Sequence, residues 1–467
     1  MKIEELVALN CDEITSLYAS REISPVEVMR CTLAQIEKVN PSIGALFSIR
    51  AEEAMDQAHA SESRWGKGTG LGPLDGIPVS IKDSIALKGW PWRHGLGANR
   101  NLPDSIFTAP PAARLLEAGA LIFAKTVMPD CGLMASGVSS LHSPARNPWG
   151  MQYNTGGSSA GAGASLAAGI GVMSVGSDIA GSVRLPASHC GLIALKPSFG
   201  RIPHLAPDVM RTAGPMARNV VDTARLFEVL RLPDARDVWS LAPDNKKRLQ
   251  LAESMKFKRL RIGLLTDLGY GMPLEAPVRA AVQAVAAAFA ERGAVVEYLE
   301  KPYDHDAMEP IDRAMQVRGW AEIQGLAPEL RKEVWPAVYR WAQAASNCTA
   351  QQYLSALSGI ARDRARMQQL TERFDYLLTP VMPMVNFAFD ASGADEAMPL
   401  RHAQFTAPFN QTGQPAVSVH HSFDDRGLPI GVQIVGQRFN DLGVLKMAYC
   451  VEQWRSNAIA WPLEPIT

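Results

Sequence analysis

The sequence predicts an α/β fold, on three observations. From Leu74 onward, short apolar runs alternate with stretches of helical periodicity, the mark of a layered α/β structure. Between Arg259 and Glu300 the alternation is explicit: Leu260–Leu265 reads as a strand, Pro277–Arg292 as a helix stopped by Gly293, and Val295–Leu299 as a second strand. The 467 residues are 47% hydrophobic and 20% charged, which suits a globular chain with ample core.

Taken in order, Ile3 to about Ala19 carries Leu6, Leu9, Ile14 and Leu17 at roughly helical spacing. The next helix has Ser24 as N-cap, Pro25 in the first turn and Glu27 completing a capping box. Its apolar face (Val28, Met29, Leu33, Ile36, Val39) is expected to end at Asn40-Pro41. Arg50–Trp65 is Ala-rich and helical in pattern. Val79–Ile81 and Leu121–Ala124 are strand candidates, with a helix over Ala112–Ala118 between them. Gly161–Ala168 reads as a helix of small residues that allow close packing. Further on, Ala307–Phe374 is helix-rich and holds Trp320, Trp335, Tyr339, Trp341 and Tyr353. Leu377–Pro383, Ala416–Val419 and Pro429–Val435 supply later strands. No repeat, low-complexity tract or linker divides the chain. Residues 1–467 are therefore read as one domain: N-terminal helices to about residue 65, a core over about 66–220, and a helical region over about 300–375.

A net charge of −1 offers no electrostatic reason for nucleic acid or acidic membranes as partners. The six cysteines form no C-x-x-C pair, which fits buried thiols in a reduced compartment. With no apolar leader and no long apolar run, a cytoplasmic location without membrane contact is expected. No G-x-G-x-x-G follows the strand at Leu260–Leu265, so that unit reads as scaffold and not as a nucleotide site.

Chemistry concentrates between Asn147 and Arg201. Two glycine clusters there hold serines: Gly156-Gly157-Ser158-Ser159-Ala160-Gly161 and Gly176-Ser177-Asp178-Ile179-Ala180-Gly181-Ser182. A serine hydroxyl needs a base within hydrogen-bond reach to act as a nucleophile. The histidines are scattered, and only His189 lies near. Upstream, two-residue alternation puts Ile77, Val79 and Ile81 on one strand face and Ser80 and Lys82 on the other. A lysine on a mostly apolar strand is desolvated, which favours the neutral amine and suits it to general-base work.

Lys82, Ser158 and Ser182, in this order and with these glycines, resemble the Ser-cisSer-Lys triad of the amidase signature family. The resemblance extends over Gly72–Asp83, Asn147–Gly163, Gly176–Ala187, Cys190-Gly191 with Leu195-Lys196-Pro197 and Gly200-Arg201, Gly214–Arg218, Asn410–Pro415 and Gly427–Gln433. It implies a central mixed, twisted β-sheet covered by helices on both faces. It further implies Ser182 as nucleophile, Ser158 as bridging serine after a cis Gly157–Ser158 peptide, and Lys82 as terminal base. The backbone N–H groups of Ile179, Ala180, Gly181 and Ser182 become the oxyanion hole. The family usually has glycine where Ala180 stands; alanine still supplies an N–H, provided the backbone there does not require positive φ. The implied activity is amide hydrolysis through an acyl-Ser182 enzyme, with neither metal nor cofactor and with a homodimer as a family-level expectation. The helical region and the segment Cys131–Leu141 are the implied shapers of substrate choice. The aromatic helices suggest an apolar or aryl amide.

A hydrolase specialised for small ureas or dicarboxylic amides is an alternative within the same resemblance, and three further rivals stand beside this expectation. The glutaminase component of a tRNA-dependent amidotransferase shares the three catalytic positions and works with partner chains. Gly157-Ser158-Ser159-Ala160-Gly161 also fits the G-x-S-x-G elbow of α/β-hydrolases, with Ser159 as nucleophile, but that elbow needs an apolar strand just before it and Asn147–Asn154 reads as a loop. A phosphate-binding glycine loop is disfavoured by the missing Gly-Lys-Ser/Thr ending.

Overall fold

The computed structural model describes residues 1–205, 210–243, 250–251, 255–455 and 458–466. Its strands are β1 (Leu46–Phe47), β2 (Pro78–Lys82), β3 (Leu121–Thr126), β4 (Arg146–Asn147), β5 (Gly150–Asn154), β6 (Met173–Asp178), β7 (Ile193–Lys196), β8 (Thr212–Ala217), β9 (Arg261–Leu264), β10 (Val295–Tyr298), β11 (Tyr376–Pro380), β12 (Ala416–Phe423) and β13 (Pro429–Gly436). Eleven of them form one sheet in the order β1-β3-β2-β6-β8-β7-β12-β13-β11-β9-β10, and β4 and β5 make a separate hairpin. Pairing is parallel for β2 with β3 and β6, and for β9 with β10 and β11. It is antiparallel through β6-β8-β7-β12-β13-β11. The sheet is thus mixed, as predicted.

Strand alternation explains why both faces are covered. On β3, Leu121 and Phe123 pack with the helices Pro25–Ile43 and Ala51–Lys67, whereas Ile122 joins the cluster that includes Ile14, Val79 and Ile81. The helices Val220–Leu230, Ala276–Glu291 and Asp441–Trp454 cover the sheet through Phe227, Phe289 and Met447. Among the described residues no helix is long and apolar enough to cross a membrane.

The predicted caps form as read. Ser24 accepts from the Glu27 N–H and the Glu27 carboxylate accepts from the Ser24 N–H, an arrangement worth about 1 kcal/mol. Some boundaries differ. The first helical stretch is two helices, Ile3–Ala8 and Cys11–Ser20, because Asn10 caps the second by accepting from the Glu13 N–H. The helix from Pro25 runs through Pro41 to Ile43: Pro41 sits in the last turn, and Gly44 (φ 58°) provides the left-handed stop. The predicted loop at Asn147–Asn154 is the β4–β5 hairpin, whose Asn147 side chain donates to the Asn154 and His189 carbonyls.

Candidate active site

Lys82 ends β2, between β3 and β6, and is fully buried. Its Nζ lies 2.8 Å from Ser158 Oγ, 3.1 Å from Ser159 Oγ and 3.2 Å from Ser177 Oγ. The Ser177 carbonyl oxygen is 3.4 Å away. No carboxylate stands among these contacts. Burial holds the Lys82 pKa well below the ordinary lysine range, and the Arg211 charge pushes the same way; Asp178 and Asp83 oppose them without prevailing. A neutral amine has one lone pair and two N–H groups, so it can accept from one hydroxyl while donating to others.

The two serine loops meet in front of this amine. The Gly157–Ser158 peptide is cis. A side chain on Gly157 would collide with the Ser136 backbone, so only glycine fits. Ser159 N donates to the Ser182 carbonyl at 3.1 Å and ties the first loop to the second. Ser158 and Ser182 are 3% and 5% exposed, enough for both to line one small cavity with Ser177, Ile179 and Arg211. Ser159, by contrast, is fully buried behind them. That removes the support for an esterase elbow at Ser159. The strand that precedes it, β5, also lies outside the main sheet. His189 is remote in function: it is neutral, with burial pushing its pKa down to about 3, and its Nδ1 is 3.2 Å from the Asn154 carbonyl.

The loop Ile179–Ser182 is shaped by a buried polar web. Arg184 donates Nε to Asp178 Oδ2 at 3.0 Å and Nη2 to Oδ1 at 2.9 Å; its Nη1 reaches Gln433 Oε1 at 2.6 Å and the Thr406 carbonyl at 3.0 Å. Asn410 Nδ2 donates to Asp178 Oδ1 at 2.9 Å. Burial pushes the Asp178 carboxyl up, but the Arg184 charge and the hydrogen bonds of Arg184 and Asn410 outweigh it and hold the pKa at about 2. Thr406 Oγ1 donates to the Ala180 carbonyl at 2.6 Å. Asn410 and Gln433, members of the C-terminal motifs, therefore brace this loop from strands and helices far along the chain.

Gly181 has φ 128°, and a side chain there would run into Thr406. Ala180 has no positive φ, which explains why alanine is accommodated. One expectation needs correcting. The Gly181 N–H donates to Asp178 Oδ1 at 2.8 Å, so it is engaged by the web and not turned to the cavity. The N–H groups of Ile179, Ala180 and Ser182 have no hydrogen-bond partner among the described residues. Three neighbouring unpartnered donors beside a serine hydroxyl can receive an oxyanion.

Sequence reasoning missed Ser177, Arg211, Arg318, His94 and His204. Ser177 was visible only as one more serine in a glycine loop, and the others carried no local signal. Arg211 Nη2 donates to Ser177 Oγ at 3.3 Å, which links it to the Lys82 surroundings. The helix Met308–Gln324 supplies Met315 and Arg318 to the cavity wall, and the turn at Asp130–Gly132 supplies Cys131 and Gly132. Asp130 fastens that turn to the helical region by accepting from the Trp335 N–H at 2.8 Å. The aromatic side chains of the helical region pack away from the described cavities. Trp341 is buried and donates to Asp312, Trp335 donates to Ser392, and neither they nor Trp320, Tyr339 or Tyr353 stand in the described lining.

Residues 27–445 match the family model described as Amidase. A glutamyl-tRNA(Gln) amidotransferase subunit from Moorella thermoacetica is 30% identical, with 96% of this chain and 97% of that protein aligned. A bacterial aryl acylamidase of the amidase signature family superposes with a TM-score of 0.87 at 27% identity, over 95% of this chain and 96% of the other. A 6-aminohexanoate cyclic dimer hydrolase gives 0.85 at 27% identity, over 96% and 97%. The family match spans the lysine strand and both serine loops, and the fold is shared along nearly the whole chain: this protein belongs to the amidase signature family and is an amide hydrolase.

Proposed function

We propose that the protein hydrolyses a carboxylic amide bearing an apolar or aryl group to acid plus ammonia or amine, through an acyl-Ser182 intermediate. The observation that carries this is the 2.8 Å contact between the buried Lys82 amine and Ser158, beside the cavity that Ser182 lines. Ser182 Oγ attacks the carbonyl carbon while its proton passes to Ser158 Oγ, whose own proton passes to neutral Lys82. The N–H groups of Ile179, Ala180 and Ser182 hold the oxyanion. As the C–N bond breaks, the proton returns along the same path to the leaving nitrogen. Water then attacks the ester by the same relay and frees Ser182. Leu133, Ile179 and Met315 provide apolar wall next to the nucleophile, which supports the apolar or aryl preference.

A second reading rests on the similarity to the Moorella amidotransferase protein, namely a glutaminase working with partner chains. Labelling with a fluorophosphonate probe, peptide mapping and a panel of amides separates the two. Adduct on Ser182 with turnover of aryl or aliphatic amides is the expected result. Adduct on Ser182 with turnover of glutamine alone selects the glutaminase, and adduct on Ser159 overturns the assignment.

A further inference from the structure

Lys82 stands at a fork. One branch is the relay already described, through Ser158 Oγ at 2.8 Å toward Ser182. The other runs through Ser177 Oγ, 3.2 Å from Lys82 Nζ, to Ser84 Oγ, a further 3.4 Å away. Exposure rises along this second branch: Lys82 is fully buried, Ser177 is 2% exposed and Ser84 6%. Ser84 lines a second cavity of about 610 Å³, whose described lining includes neither Ser158 nor Ser182. That cavity reaches the surface, because Ala321, Glu322 and Gly325 on its wall are exposed. Ser177 also borders the small cavity at Ser182, which the acyl group enters once Ser182 is esterified.

Donors and acceptors give the second branch a direction. Arg211 Nη2 donates to Ser177 Oγ at 3.3 Å, and a guanidinium cannot accept in return. The Ser177 hydroxyl has one proton to give, and its other side-chain neighbours are Lys82 Nζ and Ser84 Oγ. Given to Lys82, that proton would occupy the lone pair that Ser158 needs. Given to Ser84, it leaves Ser177 free to accept from a Lys82 N–H. The chain then runs from Lys82 to Ser177 to Ser84 to the outer cavity, every link donating outward.

We infer that Ser177 and Ser84 form a proton outlet for Lys82, used when a leaving group departs without taking the relay proton. This rests on the acyl-Ser182 reading above and deepens it. An amine leaving group recovers the proton through Ser158, and Lys82 ends acylation neutral. A phenolate departs as an anion, so Ser182 is acylated while Lys82 stays an ammonium. Deacylation needs the neutral amine. Ser158 cannot unload it, because the hydrolytic water must deliver a proton along that path. On the second branch the Lys82 proton moves to Ser177 Oγ, the Ser177 proton to Ser84 Oγ and the Ser84 proton to solvent in the outer cavity. Lys82 is then neutral, both serines are again hydroxyls, and the proton has left the protein. The outlet suits the enzyme to aryl esters as well as amides.

The test compares 4-nitrophenyl butyrate with butyranilide on the full-length enzyme. Both form the same butyryl-Ser182, but only the ester leaves Lys82 protonated. In Ser84→Ala and in Ser177→Ala the ester should still give a rapid burst of 4-nitrophenolate. The steady rate after the burst should fall by about tenfold or more relative to kcat for the anilide. Ser84→Thr and Ser177→Thr, which keep the hydroxyl, should restore part of that ratio. Thermal melts establish that each variant is folded, and the ratio, not either rate alone, is the readout. A ratio that stays at the parent value in either folded alanine variant, whether the rates hold or fall together, overturns the inference. If Ser182 is labelled and the anilide is cleaved while that ratio holds, only this inference falls. With no adduct on Ser182 and neither substrate cleaved, the amidase reading falls and takes it along.

Discussion

Two fully buried cations sit on either side of the serine loops and meet opposite fates. Arg184, a guanidinium and so a standing cation, is wrapped by the Asp178 carboxylate, Gln433, Asn410 and the Thr406 carbonyl. Lys82 is equally buried but touches hydroxyls and a carbonyl, with no carboxylate at hand, and burial drives it toward the neutral amine. Depth alone does not decide protonation; the chemistry of the buried group and its partners do. The charged site stiffens the loop that presents Ser182, and the neutral site is left with a lone pair to take a proton.

The largest expected effect lies on the acting side of this contrast. Ser182→Ala should lower turnover by about 10⁴-fold or more and abolish labelling by the fluorophosphonate probe, with little change in the melting curve. Retained activity would move the nucleophile elsewhere.

Replacing each cation by methionine separates the two roles. Lys82→Met should cost about 10³-fold or more in kcat yet leave the protein as stable as the parent or more so. The sign follows from linkage. The folded-state pKa of Lys82 is depressed below the unfolded value of about 10.4, so the folded state binds fewer protons across that window. Its destabilising contribution is full below the folded pKa and vanishes as pH rises past about 10.4. The stability advantage of Lys82→Met should therefore shrink toward that pH in urea titrations run across the range. By the same token, the parent enzyme's activity should be lost as pH falls through the depressed Lys82 pKa. Arg184→Met strands the Asp178 charge and should destabilise by about 3–5 kcal/mol in urea denaturation. Equal stability losses in both variants would erase the distinction.

Smaller effects test the loop between them. Gly181→Ala, which combines a left-handed backbone with a clash against Thr406, should reduce kcat by about 10²-fold or more. Ala180→Gly should stay within about threefold, because no positive φ is needed there. Ser159→Ala removes one of several oxygens around Lys82 and should retain measurable activity and probe labelling on Ser182.

Much of the fold was legible because its signals are local. The Ser24–Glu27 capping box, the alternation on β2 and β3, and the strand–helix–strand unit from Arg261 to Tyr298 all lie within a few residues of their cause. The helix break at Asn10 and the passage through Pro41 were less so, since a cap competes with a continuing apolar stripe and the left-handed Gly44, not Pro41, provides the stop. The aromatic helices said little about the site for a related reason. Periodicity shows that a side chain is buried, not whether it faces a cavity or another helix, and Trp341 faces Asp312.

The sequence by itself determined the α/β class, the order of the lysine strand and the two serine loops, and the glycines those loops require. These depend on backbone geometry and periodicity, which neighbouring residues impose. Only the tertiary structure decided which groups surround them. It brought Ser177 onto Lys82 from β6, turned the Gly181 N–H to Asp178, and gathered Arg211 and Arg318 at one cavity from elements about a hundred residues apart. Such neighbourhoods arise from sheet order and helix packing, and so do the charge states that follow from them; no local pattern in the chain encodes either.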